Sequence, residues 1–349
     1  MRGGPVRLRG TLERYHPSDR RRGPRGARRF LAPAGADVVH ARTLAMSLLS
    51  RLKRPGPSGF GYASTAEEVT RGLDLSGKTY LLTGCNSGLG RETLRVLASR
   101  GARVVATARS LDKAREACST VSGDSRALAC DLSEPTSVRA CAAELTRDGT
   151  PLDAIICNAG IMALPRLTRA HGYEAQFFTN HIGHFLLVVT LLPLLAHEGR
   201  VVVVSSDAHR RAPSGGIQLD NLSGERGYHP WTAYGQSKLA NLLFARELAR
   251  RLPRPRQSAN ALHPGVIATN LARNMPLTAR VALRVLEPLA LKSTAQGAAT
   301  QCYVATTPGL SANGAYFSHS NVATSSRLGQ DLGLARRLWE ASERIVEKL

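Results

Sequence analysis

The chain is short of cysteine, of acid near its start and of long apolar runs, and each shortage excludes something. Its six cysteines (Cys85, Cys118, Cys130, Cys141, Cys157 and Cys302) are scattered singly through 349 residues. None forms a CxxC pair and no histidine group has zinc spacing. That argues against a disulfide framework or a metal centre, and for an intracellular, reducing compartment with buried thiols. The longest near-apolar run, 185–196, falls short of the roughly 20 residues a membrane-spanning helix needs, so a core helix is expected there and no transmembrane span. Aromatic residues are 5% of the chain and are not interleaved with the basic residues at its start. No nucleic-acid motif is present, so no nucleic-acid partner is expected.

What is plentiful is basic charge, a net +21. It is unevenly placed. Residues 1–54 hold 14 Lys or Arg against three acids, Glu13, Asp19 and Asp37, so about half the excess lies in under a sixth of the chain. This stretch has no sustained apolar period and reads as a disordered basic leader. Three roles stay open for it: a transit peptide, a tail for nucleic acid or anionic lipid, and an extension without a role, with Met46 as an alternative start. A transit peptide would make the protein organellar; otherwise it is expected to be cytoplasmic.

From Lys78 the pattern changes. Strand-type runs at 79–83, 102–108, 126–130, 152–157, 200–205 and 258–263 alternate with helical periodicity at 90–99, 111–121, 135–146, 170–195, 232–251 and 294–305. A short strand near 315–317 and a last helix from Leu334 follow. Such alternation predicts an α/β fold, a single-domain Rossmann-type doubly wound parallel sheet flanked by helices, over 55–349. Four consecutive valines, 201–204, suit a strand buried on both faces.

Thr83-Gly84-Cys85-Asn86-Ser87-Gly88-Leu89-Gly90 follows the first strand and opens the first helix. Glycines at 84, 88 and 90 let backbone approach a pyrophosphate, and a helix N-terminus supplies free N–H groups. The second strand ends at Arg109, where NAD binders usually carry an acid. An arginine there pairs with a 2′-phosphate, so NADP is favoured over NAD. Asp131 and Leu132 end the third strand, within reach of an adenine. Asn158-Ala159-Gly160 ends the fourth and lets a flat cofactor lie close. Tyr234 and Lys238 stand four apart on a helix and share a face. A lysine ammonium beside a tyrosine favours phenolate, so Tyr234 is expected to exchange a proton with a carbonyl or alcohol oxygen, tuned by Lys238. One hydroxyl of Ser205-Ser206 is placed to hold that oxygen, and Asn180 to anchor a water linking Lys238 to solvent. His181, His184, His209 and His263 read as packing or surface residues, and Cys85 as a small turn residue.

Together TGCNSGLG (83–90), NAG (158–160), NHIGH (180–184), VVVVSS (201–206), YGQSK (234–238) and HPG (263–265) resemble the short-chain dehydrogenase/reductase superfamily. The resemblance implies Tyr234 as general acid/base, and Lys238 as its tuner and the ligand of the nicotinamide ribose. It implies Ser206 rather than Ser205 as the carbonyl-orienting serine and Asn180 as a relay. Pro264, Gly265 and Thr269 are placed along the nicotinamide, with Thr269 on its amide. Stretches 232–252, 261–271, 296–305 and 338–345 are similar to retinol dehydrogenases and WW-domain oxidoreductases. Residues 56–72 look like the start of the dehydrogenase associated with the chloroplast inner-envelope translocon. The implied activity is NADP-dependent interconversion of an alcohol and an aldehyde or ketone. The apolar stretch 271–291 is expected to lid the pocket, which points to a lipophilic substrate of retinoid, steroid or long-chain type. The alternative is an NADPH-binding redox-sensing or scaffolding subunit of a complex. Peripheral membrane contact and homo-oligomerisation are left open.

Overall fold

A computed structural model describes residues 54–267 and 291–349. The readings made for residues 1–53, for Thr269 and for the apolar stretch 271–290 fall outside the described residues. Eight described strands form one sheet, ordered β10-β9-β8-β7-β4-β1-β2-β3. These are β1 Thr79–Thr83, β2 Arg103–Ala108, β3 Ser125–Ala129, β4 Leu152–Cys157, β7 Leu195–Val204, β8 Ser258–His263, β9 Tyr316–Ser318 and β10 Asn321–Val322. All neighbours are parallel except β10 against β9.

The alternating periods of the sequence have a direct packing consequence. Successive strand residues face opposite sides, so Val201 and Val203 join one core while Val202 and Val204 join the other. The first core lies under α4 (Pro135–Asp148), α6 (Gly183–Leu191), α7 (Pro230–Arg251) and α9 (Leu332–Val346). The second lies under α1 (Ala66–Val69), α2 (Gly88–Ser99), α3 (Leu111–Ser119) and α8 (Thr294–Thr306). A sheet buried on both faces needs apolar runs rather than alternation with polar residues, and those runs are what the strands carry.

The helix expected over 170–195 begins later. Residues 169–174 form a hairpin, β5 (Arg169–Ala170) and β6 (Tyr173–Glu174). His171 and Gly172 take positive φ at its turn, and Glu174 N donates to Leu222 O and Ala175 N to Thr168 O. Helix then runs as α5 (Ala175–Phe177), a π-helical turn at Phe178–Ile182 and α6. By length and composition Ala175–Leu194 is long and apolar enough to cross a membrane, but two thirds of its most apolar window is buried. Phe177, Phe185, Leu187 and Val188 fill the core, and Phe185 stacks edge-on to Trp339 of α9. Strand β7 also starts earlier than expected, because Leu195 pairs with Leu152 ahead of a register shift.

The register brings the carboxyl ends of β1, β2, β4, β7 and β8 level: Thr83 pairs with Thr107, Ile156 with Val202 and Val204 with Leu262. The chain crosses from β3 at the sheet edge to β4 beside β1, so the strand order reverses there. In open α/β sheets such a switch point opens a crevice for a ligand.

Candidate active site at the carboxyl edge of the sheet

The Gly-rich turn is held by backbone. Gly84 and Cys85 N–H both donate to Thr107 O, at 2.8 and 3.0 Å. Gly84 has φ +71, and a Cβ there would stand 2.9 Å from Ala159 Cα; a Cβ on Gly90 would stand 2.0 Å from Gly84 O. Side chains are excluded at both, so the turn and the Asn158-Ala159-Gly160 segment close on each other. Helix α2 starts at Gly88. Its N-cap, Ser87, makes no side-chain capping bond, and its first turn carries no acid. The first N–H groups and the positive dipole end thus have no side-chain partner of their own, as an anion site requires. Asn86 and Ser87 are exposed, whereas Leu89 is buried in the core. Leu89 therefore offers the cradle its backbone. Cys85 is fully buried, and burial pushes its thiol up to about 12, which removes it as a nucleophile.

Thr83 ties this turn to the end of β4. Its hydroxyl accepts from Asn158 N and Ala159 N, at 2.9 and 3.0 Å. Asn158 answers by donating Nδ2 to Thr83 O at 2.8 Å. Arg109 is exposed immediately after β2. Asp131 uses one carboxylate oxygen to accept from Ser133 N and Ser133 Oγ, at 3.0 and 2.6 Å, and so shapes its own turn. Leu132 is buried, with its carbonyl against Gly183.

Tyr234 and Lys238 lie one turn apart on α7. The Lys238 ammonium donates to Val204 O at 2.9 Å and sits 5.8 Å from the Tyr234 ring centre. Burial lowers Lys238 to about 8. Burial around the Tyr234 hydroxyl pushes it up to about 12, and the side-chain hydrogen bond with Ser206 opposes that rise. This differs from the expectation that lysine lowers the tyrosine. The ammonium is committed to a carbonyl at the end of β7, and in this enclosed pocket desolvation outweighs it.

The two serines separate by the pleat. Ser205 is buried and donates its hydroxyl to Lys238 O at 2.6 Å, bracing α7 against β7. Ser206 is half-buried and turns to the Tyr234 side. Its place is kept by two residues that the sequence reading gave no such role. A Cβ on Gly235 would stand 2.7 Å from Ala208 O, so α7 approaches the segment after Ser206 closely only because that position is glycine. His209 donates Nδ1–H to Ser206 O at 2.7 Å and accepts from Ser326 N at 3.0 Å.

Asn180 stands in the π-helical turn, a feature often found at functional sites. Its Oδ1 accepts from Ile161 N at 2.8 Å. Its Nδ2 donates to Ile161 O and Ser237 Oγ, both at 2.9 Å. A Cβ on Gly160 would stand 3.1 Å from Asn180 Oδ1 and 3.4 Å from Lys238 Nζ. Gly160 therefore packs close to both, where a side chain would crowd them. Pro264 is buried, and Gly265, at φ +99, packs on the Lys292 stem. Ile267 bridges Lys292, which brings together the two ends of the segment carrying Thr269.

A short chain dehydrogenase family model matches residues 78–279, more than half of the chain. The chain belongs to the short-chain dehydrogenase/reductase family. The short-chain dehydrogenase TIC 32 A, chloroplastic, of Brassica napus is 40% identical over 311 residues, 85% of this chain and 97% of that protein. Retinol dehydrogenase 14 of Homo sapiens is 36% identical over 338 residues, 90% of this chain and 96% of that protein. The WW domain-containing oxidoreductase of Danio rerio is 38% identical over 309 residues, 84% and 74% of the two chains. A solved structure of an uncharacterised protein from Mycobacterium Paratuberculosis matches at TM-score 0.66 and 34% identity, over 80% of this chain and 97% of that one. As a short-chain dehydrogenase/reductase with retinol dehydrogenase relatives, this chain is an NAD(P)-dependent oxidoreductase acting on CH–OH groups. Its glycine cradle, closed to a Cβ at Gly84 and Gly90 and lying at a helix N-terminus, fits the pyrophosphate of such a cofactor.

Proposed function

We propose that this enzyme interconverts a lipophilic alcohol and its aldehyde or ketone with NADP(H), using Tyr234 as general acid/base. The observation that carries the reading is the convergence of Tyr234, Lys238 and Ser206 at the carboxyl end of β7: Lys238 Nζ donates to Val204 O at 2.9 Å and lies 5.8 Å from the Tyr234 ring centre, with Ser206 two residues past Val204. When bound, the nicotinamide supplies or takes a hydride at the reacting carbon. Ser206 and Tyr234 present two hydroxyls to one substrate oxygen. Tyr234 gives that oxygen its proton in the reductive direction. Lys238 offsets the negative charge left on Tyr234. Asn180 and Lys238 both lie against Gly160, and Asn180 serves as the anchor of a water through which the proton is resupplied. Pro264 and Gly265 line the nicotinamide side, and Asp131 and Leu132 the adenine side.

The two serines give a paired test. Ser206→Ala is expected to lower kcat by about 10²-fold, as loss of an oriented donor does elsewhere. Ser205→Ala should instead cost about 1 kcal/mol of stability, with its substrate KM kept, because it breaks one buried hydrogen bond. Equal kinetic losses in both would contradict the assignment.

NADP rests on Arg109, which forms no ion pair among the described residues and directly follows β2, where NAD binders usually carry an acid. A charge-assisted bond is worth about 1.5–3 kcal/mol, so Arg109→Asp should shift the NADPH/NADH affinity ratio by about 10- to 100-fold toward NADH. An unchanged ratio would refute the phosphate clamp. The apolar stretch 271–291 and the retinol dehydrogenase relatives support a lipophilic substrate. We read residues 1–54 as a basic leader ahead of one domain at 55–349. The chloroplastic relative supports an organellar destination for it.

A further inference from the structure

We infer that His184 is a positioning residue that locks the cofactor cradle to the Asn180 turn, so that cofactor affinity and proton supply depend on one continuous hydrogen-bonded unit. The inference rests on the proposed function, because it gives Asn180 and the cradle their roles.

The chain of bonds is complete on both sides of the ring. His184 is 1% exposed. Its Nδ1 lies 2.9 Å from Asn180 O, which can only accept, so Nδ1 carries the proton. Burial holds the imidazole neutral, down to about 4, so Nε2 is an acceptor. Thr83 Oγ1 stands 2.8 Å from Nε2 and donates to it.

That donation decides how the Thr83 hydroxyl points. Its two lone pairs serve Asn158 N and Ala159 N, so its single proton must leave in the remaining direction. The other acceptor near it, Ile156 O, is 3.4 Å away. Without the Nε2 acceptor the hydroxyl rotates toward Ile156 O, and its lone pairs swing off the two amides that hold the end of β4 against the Gly-rich turn. On the opposite side, the Asn180 carbonyl fixes the π-helical turn. The Asn180 side chain then holds both backbone groups of Ile161 and the Ser237 hydroxyl, which itself donates to Tyr234 O at 2.8 Å. One path therefore joins Thr83, His184, Asn180, Ser237 and the helix carrying Tyr234. The imidazole is neutral throughout the physiological range, so the path transmits position rather than charge.

Two amide substitutions divide the ring's two bonds. His184→Gln reaches the Nε2 position and keeps the acceptor for Thr83, but loses the donor to Asn180 O. His184→Asn mimics Nδ1 and keeps the bond to Asn180 O, but leaves Thr83 unpaired. NADPH dissociation constants would be measured without substrate, alongside kcat, KM and thermal melting. Loss of one buried hydrogen bond corresponds to about a tenfold effect. His184→Gln is expected to keep NADPH affinity and lose about tenfold in kcat. His184→Asn is expected to weaken NADPH binding about tenfold. The isosteric Thr83→Val should weaken NADPH to the same degree, and combining it with His184→Asn should add little further. Lower melting temperatures with unchanged affinity and kcat, or additive losses in the double variant, would overturn the inference. A wild-type protein that turns over no carbonyl would instead sink the proposed function, and this inference with it.

Discussion

Tyr234→Phe is expected to lower turnover by about 10²–10⁴-fold, the range a positioned proton donor contributes, while NADPH affinity stays within about twofold of wild type. The change removes one oxygen and little else. The ring keeps its edge contact with Trp231, centroids 6.2 Å apart, and its place beside the Lys238 ammonium. No bond of the cradle passes through the hydroxyl, since Thr83, Asn158 and Gly84 are tied by their own backbone and side-chain bonds. Stability should change little, because the hydroxyl is enclosed and burying a polar group carries a cost that its removal relieves. Titration of NADPH by its fluorescence and steady-state kinetics on the same preparation separate the two quantities. Retained turnover would remove Tyr234 from the chemistry.

The second large effect is at Gly90. A Cβ there would stand 2.0 Å from Gly84 O and 2.7 Å from Asn158 Nδ2, both parts of the cradle. Backbone cannot yield as a flexible side chain would, so Gly90→Ala must push the turn off the end of β4. Overpacking of this kind costs about 1–3 kcal/mol. NADPH affinity should fall at least about tenfold, because the displaced N–H groups no longer meet the pyrophosphate. Gly77, outside the cradle, is the internal control. It has φ +75 but nothing within 4 Å of a new Cβ, so Gly77→Ala pays only left-handed backbone strain of about 1 kcal/mol. Comparable binding losses in both variants would show that general destabilisation, not close approach in the cradle, causes the loss.

Much of this was legible in the residues. The strand–helix alternation predicted the parallel sheet because a two-sided burial demands apolar runs, and the runs are there. Gly84, Gly88 and Gly90 announced a tight turn between β1 and α2, and the spacing of Tyr234 and Lys238 put them on one face of α7. Other features were hidden for physical reasons. Tyr173 and Glu174 continue a helical period, yet tertiary bonds from Glu174 to Leu222 and from Ala175 to Thr168 make that stretch a hairpin. Ser205 and Ser206 are the same residue type, and only the pleat buries one hydroxyl against Lys238 O and leaves the other half-buried, accepting from Ala208 N. The spacing of Tyr234 and Lys238 carried no sign of the burial that sets the direction at both, because burial is a property of the assembled pocket. His184 did carry a signal: it follows Asn180 by four residues, the spacing at which a helical side chain meets a preceding carbonyl.

The measurement that tests the central claim most directly follows a label. The full chain would be incubated with a panel of lipophilic aldehydes and ketones, retinal among them, and NADPH deuterated at the transferable position of the nicotinamide. The account predicts an alcohol carrying that deuterium on the former carbonyl carbon, formed by wild type and lost in Tyr234→Phe. No labelled alcohol from any member of the panel, or equal formation by the two proteins, would contradict it.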